Sequence, residues 1–180
     1  MASIDTACPV DCTTPLPVFA FSACGAEFNL SQINYLYIMN ADYPLVDWSN
    51  PAEWAARLIL TTEPNAIRRL TVIGSIAEPT STTVDRSGGR TSTSPLSYTL
   101  LADIDENNNT NYDAVRVFGC SGNYRIYYST LGGKLYDPNA IASIKASEPL
   151  TASKEDYALI KLVITWSERK MPLRIDNPIA

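Results

Sequence analysis

Histidine is absent from all 180 residues, and that absence removes more chemistry than any residue present supplies. Ser-His-Asp and Cys-His nucleophilic catalysis need an imidazole as base, and the common zinc hydrolase sites need one as ligand. No phosphate cradle is visible either, because Ser87-Gly88-Gly89-Arg90 lacks the strand, lysine and helix that build one. No apolar run approaches the roughly 18 residues of a membrane span, so no membrane partner is expected. The opening Met1-Ala2-Ser3-Ile4-Asp5 shows no basic segment followed by an apolar stretch, so no secretory signal is expected. Cytoplasmic synthesis is the default, and the sequon-like Asn29-Leu30-Ser31 and Asn108-Asn109-Thr110 then carry little meaning.

Charge is also sparse, at 18% of residues against 46% hydrophobic. That composition is globular, in a chain of a length that fits one domain with a sizeable core. A surface hidden against neighbours needs few charges, which leans towards an oligomer, although a surface rich in Ser, Thr and Asn explains it equally. The net charge of -5 disfavours gripping nucleic acid, where Lys and Arg must displace counterions from phosphates. It suits a wall past which DNA slides without adhering.

The remaining chemistry is thin. Cys8, Cys12, Cys24 and Cys120 form one loose pair and two singles, where a four-cysteine zinc site uses two tight pairs. Free buried thiols are the leading expectation, with a disulfide pinning the N-terminal segment as the alternative. Asp103, Asp105 and Glu106 crowd together beside Asn107-Asn108-Asn109, which reads as a solvated hairpin turn. As a calcium loop the stretch has Asn108 where a glycine is needed and Ala114 where the bidentate Glu belongs. No catalytic residue, metal ligand or cofactor site is assigned, and the chain is read as a non-enzyme.

What is present is strand. Ile33–Met39, Ile67–Ile76, Leu96–Ile104, Ala114–Phe118, Tyr124–Ser129, Ile141–Ala146 and Ala158–Trp166 carry β-branched, aromatic or alternating patterns between turn residues. Ser121-Gly122-Asn123 reads as a tight hairpin turn after Ala114–Phe118. In the last strand Ala158, Ile160, Leu162, Ile164 and Trp166 share one face, and Lys161 and Thr165 the other. One helix is expected after Asn50, with Asn50 as N-cap, Pro51 at the first position and Glu53 in the first turn. Its apolar face would be Trp54, Ala55, Leu58 and Ile59. The fold class is mainly β (α+β): an antiparallel β-sandwich or barrel with one flanking helix, an extended loop and terminal arms.

The whole chain, 1–180, is read as a single domain. Residues 1–32, rich in proline, form an N-terminal arm, and 167–180 a C-terminal arm. Residues 80–94 form an extended loop of Ser, Thr, Gly and charge, with Val84 as the one apolar residue and no core to hold it.

The stretch from Ile67 to Trp166 resembles the tube-forming and related virion structural proteins of tailed bacteriophages, particularly those infecting Bacteroidetes. The likeness is carried by Leu70-Thr71-Val72-Ile73-Gly74-Ser75-Ile76, the Ser-Gly-Gly-Arg loop at 87–90, Tyr98-Thr99-Leu100 and Asn111-Tyr112-Asp113. It continues through Cys120-Ser121-Gly122-Asn123-Tyr124-Arg125-Ile126-Tyr127-Tyr128 and the Ile-Thr-Trp strand at 164–166. The resemblance implies a sandwich with one helix, ringed subunits, and a loop and arms that staple ring to ring. On that reading Arg86, Gly88, Gly89, Arg90, Leu173, Ile175 and Ile179 are subunit-interface candidates. The partners would be other copies of itself in a ring or tube, other virion structural proteins, and DNA passing without specific binding; the location would be the virion, after synthesis in the host bacterial cytoplasm. Alternatives are a capsid decoration, connector or ring protein, or a carbohydrate-binding adhesin sandwich that offers Tyr112, Tyr124, Tyr127 and Tyr128 for sugar stacking.

Overall fold

Strict alternation of apolar and polar residues requires one buried and one open face, and the strand Ile160–Glu168 realises it with Ile160, Leu162, Ile164 and Trp166 inward. The computed structural model describes residues 30–118, 123–150 and 158–179. Cys8, Cys12, Cys24 and Cys120, most of the 1–32 arm and the Ser121-Gly122 part of the expected hairpin turn lie outside the described residues.

The order is β1 (Ile33–Asn40), α1 (Pro51–Leu58), β2 (Arg68–Ile76), β3 (Thr83–Arg86), β4 (Arg90–Thr93), β5 (Leu96–Ile104) and α2 (Asn109–Phe118). There follow β6 (Tyr124–Thr130), β7 (Lys134–Asp137), β8 (Ile141–Ser147), β9 (Ile160–Glu168) and β10 (Leu173–Asp176). Strands β1-β2-β5-β9-β8-β6 pair in that order, all antiparallel, and β6 returns to β1 to close a six-stranded barrel. Strand β7 lies beside the C-terminal half of β6, and β10 pairs with β7. Closure satisfies the ladder bonds that an open sandwich would leave at its margins.

The barrel is packed solid. Leu36, Leu100, Ile126 and Ile164 have no exposed surface, and Tyr98 stacks on Trp166 with ring centroids 5.3 Å apart. Each such aliphatic side chain stabilises the fold by roughly 1.5–3 kcal/mol through burial. Gly74 lies close to Ile33: a Cβ there would sit 3.1 Å from Ile33 Cβ, its partner across the ladder, and would require that side chain to shift by a few tenths of an ångström.

A second apolar cluster lies outside the wall, against β1 and β6. Both ladders of β1 shift register between Ile33 and Tyr35, a bulge at Asn34. Ile33, Leu36 and Ile38 therefore join the barrel interior, while Tyr35, Tyr37 and Met39 face outward into the second cluster. Trp54 of α1 fills its centre with no exposed surface, edge-on to Tyr37 at 5.1 Å and to Tyr127 at 5.2 Å. Its indole N–H donates to the Trp48 carbonyl at 2.8 Å, so the ring is buried without a stranded donor.

The helix begins as expected, with the Asn50 side chain accepting from the Ala52 amide at 3.0 Å. Its buried face differs. Ala55 and Ile59 are exposed, Ile59 because the helix has already ended at Leu58, and Arg57 is buried instead. The Arg57 guanidinium donates to the carbonyls of Asn65 (2.8 Å), Pro44 (3.1 Å) and Tyr43. Glu53, 3.5 Å from it, accepts the Val46 and Asp47 amides at 3.0 Å. This pair ties the loop before α1 to the helix.

Residues Ala114–Phe118, expected as a strand, belong instead to the second helix, α2. Asn108 initiates it: its side chain accepts from the Asn111 amide at 2.8 Å and its carbonyl from the Tyr112 amide at 2.9 Å. The Val115-Arg116-Val117 alternation misleads because Val115 alone is buried, while Val117 faces solvent. The Asp105–Asn109 stretch is accordingly the lead into a helix and not a hairpin turn.

Candidate functional site

Residues 80–94, read as an extended loop, form a two-stranded hairpin. Strand β3 pairs with β4, and Arg86 stands opposite Arg90 across a Ser87-Gly88-Gly89 turn. Gly88 and Gly89 both take positive φ, at 80° and 71°, where a side chain would be strained. Nothing lies within 4 Å of where their Cβ atoms would be. The hairpin is anchored at its base, where Thr80 and Ser97 exchange backbone hydrogen bonds and Thr82 accepts from Ser94. Beyond that base its described side chains pack on no core, and Val84 is 55% exposed.

The C-terminal candidates divide. Strand β10 docks on β7 of the same chain, and Ile175 and Ile179 pack against the second cluster. Asn177 donates its amide to the Gly133 carbonyl at 2.9 Å, and Lys134 pairs with Asp176. That hydrogen bond holds the Asp176 carboxyl below the usual carboxylate range. Leu173, on β10, is 52% exposed and Met171, just before it, 80%, and the far edge of β10 pairs with no strand among the described residues. Ile175 and Ile179 are thus engaged within the chain, and Leu173 remains open to a neighbour.

Two further surfaces were not singled out from the sequence. Outward positions of β2, β5, β8 and β9 are covered by nothing among the described residues. Across this wall Ser75, Leu101, Val163 and Lys145 form one cross-strand row, with Thr99, Thr165 and Ser143 in the next. It is a hydroxyl-rich surface with isolated apolar side chains, Ile73 and Leu101 among them, and with Lys145, Lys161 and Asp103 among its charges. The alternation in β5 and β9 announced the open face, but not that neighbouring strands would assemble it into one wall.

The other surface is a cleft of about 760 Å³ between α2 and the first half of β2. The β2–β5 ladder starts only at Ile73, so Arg68–Thr71 pair with β1 on one edge and, among the described residues, with no strand on the other. Leu70, Ile104 and Val115 line its apolar part, and Arg68, Asp105 and Glu106 its charged margins. Mistaking α2 for a strand hid this cleft from the sequence.

The four tyrosines offered as a sugar platform do not share an open face. Tyr128 lies in the barrel, Tyr127 in the outer cluster, Tyr124 is half-buried, and Tyr112 alone is exposed. Burial pushes the Tyr127 and Tyr128 phenols well above their ordinary range, reinforced by Asp137 beside the first and Tyr136 beside the second. Among the described residues no three Cys, Asp or Glu side chains gather as a metal group, and no helix is long and apolar enough to cross a membrane. Comparison with protein-family models, curated proteins and solved structures finds no match for this chain.

Proposed function

We propose that this chain is a structural subunit that assembles with copies of itself, as a tail tube protein of a tailed bacteriophage lining a DNA conduit. The observation that carries the reading is the β3–β4 hairpin. A lone two-stranded ribbon is marginally stable in water, and this one extends from a closed barrel with Val84 55% exposed. A second surface that covers it would supply hydrophobic support. The exposed Leu173 on β10 and the open wall of β2, β5, β8 and β9 add area for neighbours. The net charge of -5 fits a wall that lets DNA pass without retaining it.

Electron microscopy and sedimentation of the purified protein test the reading. Rings or tubes are expected from the parent chain. Replacing residues 80–94 by a short Gly-Ser bridge is expected to leave a folded monomer. A parent chain that stays monomeric at every concentration and salt condition sinks the proposal, and discrete rings that never stack favour a connector or decoration protein.

A further inference from the structure

Tyrosine and tryptophan rings form two unbroken arrays, one inside the barrel and one in the cluster outside it. We infer that the inner array is an outlet for oxidising equivalents, drawing an electron vacancy from Trp166 through Tyr128 to Tyr136, where an external reductant quenches it. This activity does not depend on assembly. Ring centroids lie 5.3 Å apart from Tyr98 to Trp166, 6.4 Å from Trp166 to Tyr128 and 5.0 Å from Tyr128 to Tyr136. Electron tunnelling weakens exponentially with separation, so rings in contact exchange electrons far faster than a buried ring does with solvent. Tyr98, Trp166 and Tyr128 are buried and Tyr136 is half-buried, so the array has one wet end.

Packing alone does not explain how the inner rings are partnered. Trp54, at the centre of the outer array, donates its indole N–H to the Trp48 carbonyl. The Trp166 indole N–H is buried with no hydrogen-bond partner among the described residues, which a packed core normally avoids. An oxidised indole comes to rest by giving up that proton; with no acceptor beside it, the vacancy at Trp166 stays mobile. Tyr98 is no terminus, because its phenol donates to the Lys170 carbonyl at 3.3 Å and a carbonyl does not take the proton away. Burial holds the Tyr128 phenol in its protonated form as well. Tyr136 reaches water, which accepts a proton.

Charge separates the two arrays. The outer one carries a guanidinium over two of its rings, Arg69 at 5.2 Å from the Tyr35 centroid and Arg125 at 5.6 Å from that of Tyr127. A cation is attracted to an intact ring face and repelled by a ring that has lost an electron. Among the described residues no guanidinium or ammonium lies over a ring of the inner array, so a vacancy passes more easily there. Ultraviolet light ejects an electron from Trp166 to an acceptor in solution, leaving the indole radical cation. Tyr136 then gives one electron through Tyr128 to the indole and its phenol proton to water, which restores Trp166. A thiol returns one electron and one proton to the Tyr136 phenoxyl radical and is itself oxidised to a thiyl radical.

Ultraviolet irradiation of the parent chain, with hexaamminecobalt(III) as electron acceptor and a nitroso spin trap, tests the outlet. Peptide mass spectrometry should place the trap adduct on Tyr136 and find Trp166 unmodified. Tyr136→Phe keeps the stacked ring; it should raise oxidised Trp166 severalfold with tertiary circular dichroism unchanged, while oxidised Trp54 stays level. In Trp48→Phe with Trp54→Phe, Trp166 is the sole indole, and flash photolysis should show its radical decaying as a phenoxyl radical grows. Adding Tyr136→Phe should slow that decay at least tenfold. An adduct on exposed Tyr43 or Tyr112 with none on Tyr136, or Trp166 oxidation that Tyr136→Phe leaves unchanged, overturns the outlet. If the double tryptophan variant does not fold, the parent chain and Tyr136→Phe decide by themselves.

Discussion

On the half of the barrel built from β1 and β6, outward-facing Tyr37, Met39 and Tyr127 are buried under α1 and the C-terminal segment; on the half built from β2, β5, β8 and β9, the outward residues meet solvent. The ladder geometry is the same in both halves, so the difference lies in what covers each wall. A wall buried on both faces carries two hydrophobic layers and is rigid on both sides. A wall buried on one face keeps its core contribution and leaves its outer face free for other molecules. The hairpin and the cleft stand at the two ends of the β2–β5 pair in the uncovered half.

The contrast is broken most severely by removing the side chain that seals the covered wall. Trp54→Ala should lower stability by about 3–5 kcal/mol in denaturant unfolding, since it empties the space between Tyr37 and Tyr127. Alkaline pH attacks the same region next. Burial raises the folded-state phenol pKa of Tyr127 and Tyr128 above the unfolded value. The folded state therefore holds protons that the unfolded state has released, and stability falls as pH rises beyond the ordinary phenol range of about 10. The tyrosinate absorbance of the buried phenols should appear together with loss of tertiary circular dichroism, and ionisation of all ten tyrosines in an intact fold would refute this.

Smaller effects sharpen the comparison. Asn50→Ala removes the cap of α1 and should cost about 1 kcal/mol. Val163→Thr, at the centre of the open wall, should change thermal stability by no more than about 0.5 kcal/mol, because its side chain supports no second layer. A loss from Val163→Thr comparable to that from Trp54→Ala would mean that the two walls do not differ as described.

Much of this was legible in particular residues. The pattern of β9, Ile160-Lys161-Leu162-Val163-Ile164-Thr165-Trp166, is that of a strand with one wet face. The denser Tyr35-Leu36-Tyr37-Ile38-Met39 is that of a strand buried on both. Leu96–Ile104 matches its expected bounds, and the Asn50-Pro51 start of α1 is spelled out by local cap chemistry. Two features resisted. Val115 and Val117 alternate around Arg116 as a strand would, and only Asn108's capping bonds and the packing of Val115 decide for a helix. Arg57 reads as a solvent-facing charge until three backbone carbonyls converge on it from segments on both sides of α1.

The sequence alone determined the class of fold, the strands with a wet face, the cap of α1, and the scarcity of catalytic side chains, because each depends on residue identity or on spacing within one element. Tertiary structure decided that the strands close into a barrel, that Ile175 and Ile179 return to their own core, and that a cleft opens where β5 leaves β2. Those outcomes depend on which strand edges meet across long stretches of chain, and pairing over such distances is set by the fit of the whole wall, not by any local pattern.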